Sequence, residues 1–147
     1  MNNITIRKTE QSELGEISRI ENECFSSPWS EKDLAVAMSN PAFHCLSAVC
    51  GDKCVGYVMM YNVTDEGEIA NVAVSDEYRR RGIGEALMNE ALDLAKDNGV
   101  VIVYLEVRYS NTAARSLYTK LGFAEIGLRK NYYKSPTEDA VLMAKGI

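Results

Sequence analysis

Residues 69–99 read IANVAVSDEYRRRGIGEALMNEALDLAKDNG, and this stretch indicates the fold class of the whole chain. It begins with a mostly apolar, β-branched segment, Ile69 to Val74, which predicts a buried strand. From Glu85 to Asn98 apolar residues recur at the spacing of one helical face, and Gly99 stands where such a helix would end. A basic turn that contains glycine therefore leads from a strand directly into the N-terminus of a helix.

That turn, Arg79-Arg80-Arg81-Gly82-Ile83-Gly84, is a natural site for an anion. The first backbone N–H groups of a helix have no acceptor within the helix, and the positive end of the helix dipole lies beside them. Glycine also lets the backbone approach a phosphate where a Cβ atom would collide. We therefore expect a phosphorylated ligand at this turn. The alternative is an ordinary strand-to-helix turn with solvated arginines.

Two familiar phosphate motifs do not fit the turn. A Walker A loop requires Gly-Lys-Ser/Thr after the glycines, and none follows here. A dinucleotide fingerprint requires a third glycine where Leu87 stands, and it opens a βαβ domain rather than lying in the middle of a chain.

Length and composition predict one domain, residues 1–147, without a membrane span. The chain has 46% hydrophobic and 25% charged residues, ordinary values for a soluble globular protein. No apolar run reaches the ~18 residues of a transmembrane helix, and residues 1–5 lack the pattern of a signal peptide, so we expect a cytoplasmic protein. A net charge of −5 argues against direct nucleic-acid binding and favours a basic or amine-bearing partner.

The cysteines and the one histidine do not predict a metal site or a thiol nucleophile. Cys24, Cys45, Cys50 and Cys54 form no CxxC pair. His44 is adjacent to Cys45 and so falls on the opposite face of a predicted strand. We expect these residues to be structural and expect no metal.

Periodicity along the chain predicts the element order β-α-α-β-β-β-α-β-α-β-β. We expect a mixed, mostly antiparallel sheet with helices on both faces, an α/β (α+β) fold. Val100 to Val107 is a nearly continuous apolar run, which favours a strand covered on both faces. The last two strands are expected at Phe123 to Leu128 and Ala140 to Ala144.

This order, together with Arg79-x-x-Gly82-x-Gly84, resembles the GCN5-related N-acetyltransferase (GNAT) superfamily. The resemblance covers essentially the whole chain. Three further segments resemble the RimI group, bacterial enzymes that acetylate the N-terminal alanine of protein eighteen of the small ribosomal subunit. These are residues 25–30 (FSSPWS), residues 105–111 (LEVRYSN), and Asn131-Tyr132-Tyr133 followed by residues 138–140 (EDA).

The resemblance implies that acetyl-CoA is the cofactor and that no metal is needed. It assigns the backbone of the predicted strand end to the pantetheine arm, the basic turn to the pyrophosphate, and one asparagine to a contact near the pantetheine. The cofactor-binding residues it implies are Val72, Ala73, Val74, Arg79, Arg80, Arg81, Gly82, Ile83, Gly84, Glu85 and Asn111.

Glu106 is the candidate general base. It is the one charge in the run Val100 to Val107 and lies near the C-terminal end of the strand, where sheets tend to bind ligands. An α-amino group has a pKa near ~8, so a modest base can deprotonate it. The alternative is a strand-end carboxylate paired with Arg108 on the same face. The RimI-like context favours the catalytic role.

Tyr118 is the candidate general acid, on a helix predicted from Asn111 to Leu121. A phenol with a pKa near ~10 can protonate a departing CoA thiolate. The alternative is core packing, because Tyr118 belongs to an apolar stripe with Ala114, Leu117 and Leu121. The catalytic role is what the family resemblance implies.

Pro28 and Trp29, together with Tyr132 and Tyr133, are the candidate walls around an acceptor peptide. In a regular strand the two tyrosines would point to opposite faces, so that one lines the groove and the other packs. The predicted reaction is acetylation of the N-terminal α-amine of a ribosomal protein. The alternatives are acetylation of a lysine side chain or small amine, and a non-catalytic acyl-CoA-binding module.

Overall fold

Helices and strands follow the predicted order. The computed structural model describes residues 3–147; Met1 and Asn2, part of the stretch behind the expected localisation, lie outside the described residues. The strands are β1 Ile4–Lys8, β2 Phe43–Cys50, β3 Lys53–Val63, β4 Glu66–Val74, β5 Ile102–Arg108, β6 Ala124–Tyr133 and β7 Glu138–Gly146. The helices are α1 Leu14–Cys24, α2 Glu31–Ser39, α3 Ile83–Asp97 and α4 Thr112–Lys120.

The seven strands form one sheet in the order β1-β2-β3-β4-β5-β7-β6. Every neighbouring pair is antiparallel except β4 and β5, which run parallel with α3 as the connection between them. The predicted mixed, mostly antiparallel sheet is therefore confirmed.

Two apolar cores cover opposite faces of the sheet, as expected for helices on both sides. Helices α3 and α4 pack on one face, with Leu87, Met88 and Tyr118 in the same buried cluster as Val103 and Leu105. Helices α1 and α2 pack on the other face, where the cluster comprises Ile17, Ile20, Leu34, Ala37, Cys54, Tyr57, Met59 and Ala73.

Strand β5 is covered on one face only, so the expectation of two covered faces is wrong. Val103, Leu105 and Val107 are buried, whereas the alternate residues Tyr104 and Glu106 are half-buried. The reason is the placement of α1 and α2, which contact β2, β3 and β4 but leave the β5 end of their face open. An apolar sequence therefore lines an open groove there.

The last two strands are longer than predicted. Strand β6 continues to Tyr133 and β7 begins at Glu138, so the hairpin projects beyond the end of β5. The sequence did not predict strand between residues 129 and 139, because the alternation of apolar and polar residues is lost in this polar segment. No helix within residues 3–147 is both long enough and apolar enough to span a membrane.

Candidate active site

Strands β4 and β5 separate halfway along their length. They pair from Glu66 opposite Ile102 to Ile69 opposite Leu105, and no further. Beyond that point β4 remains paired with β3, and β5 remains paired with β7. A break in the register between β3 and β4 leaves Ala70 as an extra, bulged residue where the separation starts.

The separation leaves one edge of β4 without a strand partner. Residues 71–74 pair with β3 on one side, and their other backbone edge faces the gap. Backbone N–H and C=O groups on such an edge can bond an extended ligand as a further strand would. Val72, Ala73 and Val74, the residues assigned to the pantetheine arm, all lie in this stretch, where alternate residues direct their backbone groups toward the gap.

The basic turn leads into the N-terminus of α3, as predicted, although the helix begins at Ile83 rather than Glu85. Gly82 is the N-cap residue in the left-handed conformation, with φ of 77°, a geometry that strains residues with a Cβ atom. The first helical bond runs from the Ala86 N–H to the Gly82 carbonyl. The N–H groups of Ile83, Gly84 and Glu85 therefore have no acceptor within the helix.

Arg79 stabilises the turn from within. Its Nε donates to the Val74 carbonyl at 3.2 Å, and Nη1 donates to Asp76 at 3.1 Å. Nη2 lies 3.1 Å from the Cys24 Sγ at the end of α1. Arg79 thus links the end of β4 to the turn. Its side chain is therefore not the merely solvated arginine of the alternative considered from the sequence.

Arg81 and Arg80 differ from Arg79. Arg81 donates to the Glu77 carbonyl at 3.2 Å, and its guanidinium lies 4.9 Å from the centre of the Tyr78 ring. Arg80 is exposed and has a positive φ of 63°, which is uncommon for a residue other than glycine. The turn therefore joins a defined backbone shape to three exposed arginines beside the free N–H groups, and two of them, Arg79 and Arg81, also bond within the turn.

Glu106 lies in an open groove on the side of the sheet opposite α3. Its Oε2 is 2.6 Å from Nε of Arg129, a residue of the edge strand β6. The pairing with Arg108 considered from the sequence does not form; Arg108 instead bonds Glu138 at 3.1 Å. Other residues that line the groove are Tyr61, Glu66, Glu68, Tyr104 and Leu142.

The groove contains a second carboxylate close to Glu106. The pKa of Glu68 is raised, first by burial and then by the negative charge of Glu106, while Arg129 acts in the opposite direction. Two carboxylates that share one arginine leave the groove attractive to a cationic amine.

Tyr118 packs in the apolar core, the placement that the structural alternative predicted, and its burial there raises the pKa of its hydroxyl. It is 7% exposed, and its ring lies edge-on to Phe123 with the ring centres 6.0 Å apart. Burial, together with the nearby Tyr133, raises its pKa to about 12. The phenol therefore stays protonated at neutral pH, as a general acid must.

Tyr132 and Tyr133 do not point to opposite faces, which corrects the expectation from strand alternation. The register of β6 against β7 shifts between Arg129 and Tyr133, and Asn131 has a positive φ of 54°. This bulge brings the two rings into edge-to-face contact, with their centres 5.1 Å apart. The pKa of each tyrosine is raised by burial first and by Glu106 second, so both lie beside the groove.

Arg108 joins the two predicted walls of the groove. It donates to the Ser26 hydroxyl in the loop that carries Pro28 and Trp29, at 3.1 Å. On the other side it donates to the Lys134 carbonyl at 2.7 Å, and its guanidinium stacks 4.6 Å from the centre of the Tyr133 ring. The loop before α2 and the β6–β7 hairpin therefore meet at Arg108, two residues after Glu106 on β5.

Asn111 has a local structural role. It is the N-cap of α4, and its Oδ1 accepts from the Ala114 N–H at 3.1 Å. A contact between Asn111 and a cofactor stays a prediction.

Two polar residues near the site, Glu21 and Arg129, were missed in the sequence, and so was the bridging role of Arg108. Glu21 alone had a local signal, since it lies one turn after Ile17 on the apolar stripe of α1, where a carboxylate is out of place. Arg129 reaches Glu106 across β7, a distance that sequence spacing does not encode.

Comparisons with known proteins agree with this geometry. A sequence model described as Acetyltransferase (GNAT) family matches residues 14–123. The chain is 36% identical to the [ribosomal protein bS18]-alanine N-acetyltransferase of Salmonella typhimurium, over 100% of this chain and 99% of that protein. It is 38% identical to the enzyme of the same name from Escherichia coli K12, over 97% of both. The crystal structure of the ribosomal-protein-S18-alanine N-acetyltransferase from Escherichia coli superposes with a TM-score of 0.93 at 35% identity, covering 99% of this chain and 94% of the other.

Proposed function

This chain belongs to the acetyltransferase (GNAT) family, and we propose that it transfers the acetyl group of acetyl-CoA to the N-terminal alanine of ribosomal protein bS18. The observation that carries the proposal is Glu106 at the open end of the β4–β5 pair, in a chain similar over its whole length to enzymes of that name. A ribosomal protein as acceptor implies a reaction in the cytoplasm, with no need for a nucleic-acid or membrane partner.

The gap between β4 and β5 fits acetyl-CoA, which supplies an activated thioester. The free N–H groups at the start of α3 suit the pyrophosphate, and the left-handed Gly82 gives the turn its shape. The unpaired edge of β4 suits the amide groups of the pantetheine arm. Val72 to Val74, Arg79 to Glu85, and Asn111 are the residues that would hold it.

Glu106 acts as the general base in this proposal. It accepts a proton from the α-ammonium group of the acceptor, which leaves a neutral amine to attack the thioester carbonyl. An α-ammonium has a pKa near ~8, about two units below that of a lysine side chain, so one carboxylate deprotonates it at lower cost. The pair with Arg129 holds Glu106 toward the groove before the acceptor arrives.

Tyr118 acts as the general acid. Because its pKa is about 12, the hydroxyl keeps its proton throughout the physiological range. As the C–S bond breaks, Tyr118 gives this proton to the departing thiolate, and the amide bond forms on the amine nitrogen.

The acceptor peptide is expected to lie between the Pro28–Trp29 loop and the Tyr132–Tyr133 pair. Arg108 bonds both walls, and Glu68 adds negative charge to the groove floor. With a net charge of −5, the protein attracts a basic peptide.

A competition assay tests the proposal. The enzyme is incubated with acetyl-CoA and two peptides, one with the bS18 N-terminus and a free alanine, the other N-terminally blocked and rich in lysine. Mass spectrometry should find acetyl only on the alanine nitrogen. Preferential acetylation of the blocked peptide would favour a lysine acetyltransferase, and binding of acetyl-CoA without transfer to peptides or small amines would favour a non-catalytic module.

A further inference from the structure

Glu21, in the last turn of α1, is a buried carboxylate with an unusual set of partners. It is 1% exposed. Its Oε2 accepts from the Trp29 backbone N–H at 2.9 Å, and its Oε1 accepts from Asn71 Nδ2 at 2.9 Å. The Tyr57 hydroxyl donates to the same Oε1. All three partners are neutral donors, and they come from three different parts of the chain.

Glu13 provides the contrast within the same protein. It is also buried, at 5% exposure, but it forms a paired contact with the Arg7 guanidinium at 2.9 and 3.0 Å. A charged pair of this kind offsets the cost of removing a carboxylate from water. Among residues 3–147, Glu21 has no such cation within ion-pair distance.

The position of the donors shows what the Glu21 carboxylate connects. Trp29 belongs to the loop that forms one wall of the acceptor groove. Asn71 follows the bulge at Ala70 and is the first residue of the unpaired stretch of β4. Glu21 therefore ties the acceptor wall to the strand edge proposed for the thioester. If Glu21 served only to fill space, an apolar side chain of similar size would do so without the free-energy cost of removing a carboxylate from water.

We infer that Glu21 is a positioning residue that fixes the Pro28–Trp29 loop against the open edge of β4 and thereby sets the affinity for the acceptor peptide. The effect on peptide affinity rests on the proposed function, which supplies the peptide substrate. The role of Glu21 in holding the loop rests only on its three hydrogen bonds.

The chemistry of the side chain predicts which contact a Glu21→Gln substitution would break. Glutamine offers one acceptor oxygen and one NH₂ donor in place of two acceptor oxygens. If the oxygen keeps the bonds from Tyr57 and Asn71, the NH₂ group faces the Trp29 N–H, and two donors oppose each other. The loop is then the part that comes loose, while the volume of the side chain is unchanged.

Trp29 makes this testable without any assay of activity, because it is the one tryptophan in the chain. Acrylamide quenching of its fluorescence should increase in Glu21→Gln and stay at the wild-type level in the matched control Glu13→Gln. Steady-state kinetics with the bS18 peptide should show KM for the peptide raised about tenfold, the usual effect of losing one bond to a charged group. The KM for acetyl-CoA and kcat should stay near their wild-type values.

Three outcomes would overturn the inference: unchanged quenching in Glu21→Gln, an unchanged peptide KM, or a loss confined to kcat. If the glutamine variant does not fold, Glu21→Asp replaces it in the test. Aspartate keeps the carboxyl group but places it one methylene further from the Trp29 N–H. This variant should also increase quenching and raise the peptide KM. If the wild-type enzyme fails to acetylate the bS18 peptide, the proposed function is wrong, and the quenching comparison still tests the loop contact.

Discussion

The two halves of the β4–β5 pair differ in what their backbones and side chains do. In the first half, from Glu66 to Ile69, β4 is hydrogen-bonded on both sides, and Ile69 and Leu105 are buried together under α3. In the second half each strand keeps only its outer neighbour, and the space between them is open. The closed half anchors the sheet, and the open half offers unpaired backbone and half-buried charge to ligands.

The fold tolerates the open half because each strand there remains paired on its other side. Residues 71–74 stay bonded to β3, and residues 106–108 stay bonded to β7. Only one row of hydrogen bonds is given up, at an edge that water or a ligand can satisfy. Substitutions in the open half should therefore reduce catalysis or binding with little loss of stability.

The largest effect is expected from Glu106→Gln in the open half. Loss of a general base lowers kcat by about 10²–10⁴. The matched change Glu68→Gln, on the same face but in the closed half, should leave kcat near that of the wild type and act mainly on peptide KM. Rates with the bS18 peptide, measured alongside thermal melts, compare the two. Equal losses of kcat in both variants would contradict the assignment of the base.

Tyr118→Phe is expected to lower kcat by about 10², the lower end of the range for general acid catalysis. Packing against Phe123 is kept, so the melting temperature should change little. Tyr104→Phe, on the closed half of β5, is the control and should keep its kcat. Near-native kcat in Tyr118→Phe would return Tyr118 to a purely structural role.

Alkaline pH should destabilise the wild-type protein through Tyr118. Folding raises its pKa from the ordinary value of 10.0 to about 12, so between these values the folded state holds a proton that the unfolded state has lost. This contribution is fully present below pH 10 and is lost as the pH rises toward 12, by about 3 kcal/mol. Urea unfolding at pH 9 and pH 11 should show a smaller loss in Tyr118→Phe than in the wild type.

The smallest of these effects is expected from Gly82→Ala. A Cβ at φ of 77° costs about 1–2 kcal/mol and disturbs the turn before α3, so acetyl-CoA should bind about tenfold more weakly. Gly51, in the β2–β3 turn, has a similar φ of 63°, and Gly51→Ala should lose similar stability without weakening acetyl-CoA binding. Calorimetric titration of both variants separates strain from ligand contact. Unchanged affinity in a folded Gly82→Ala protein would count against the phosphate site.

Predictions from the sequence succeeded where the signal is local. The Gly82 turn and the helix after it depend on residues adjacent in the chain, and the element order follows from the periodicity of successive segments. Predictions failed where coverage or register depends on distant parts. The apolar run of β5 looked buried on both faces, because the sequence does not show that α1 and α2 stop short of it. Tyr132 and Tyr133 were expected to alternate, because a bulge around Asn131 has no strong signature in one sequence.

The amino-acid order thus specified a GNAT fold, a helix N-terminus with free backbone N–H groups at the start of α3, and a lone carboxylate near the end of β5. Folding in three dimensions added the partners of that carboxylate. Arg129 reaches Glu106 from across β7, and Arg108 bonds Glu138 and the Ser26 loop. Glu21 accepts hydrogen bonds from β3, β4 and the loop before α2. The physical reason is range: backbone conformation responds to neighbouring residues, whereas a side chain's ion pairs depend on which strands the whole sheet brings together.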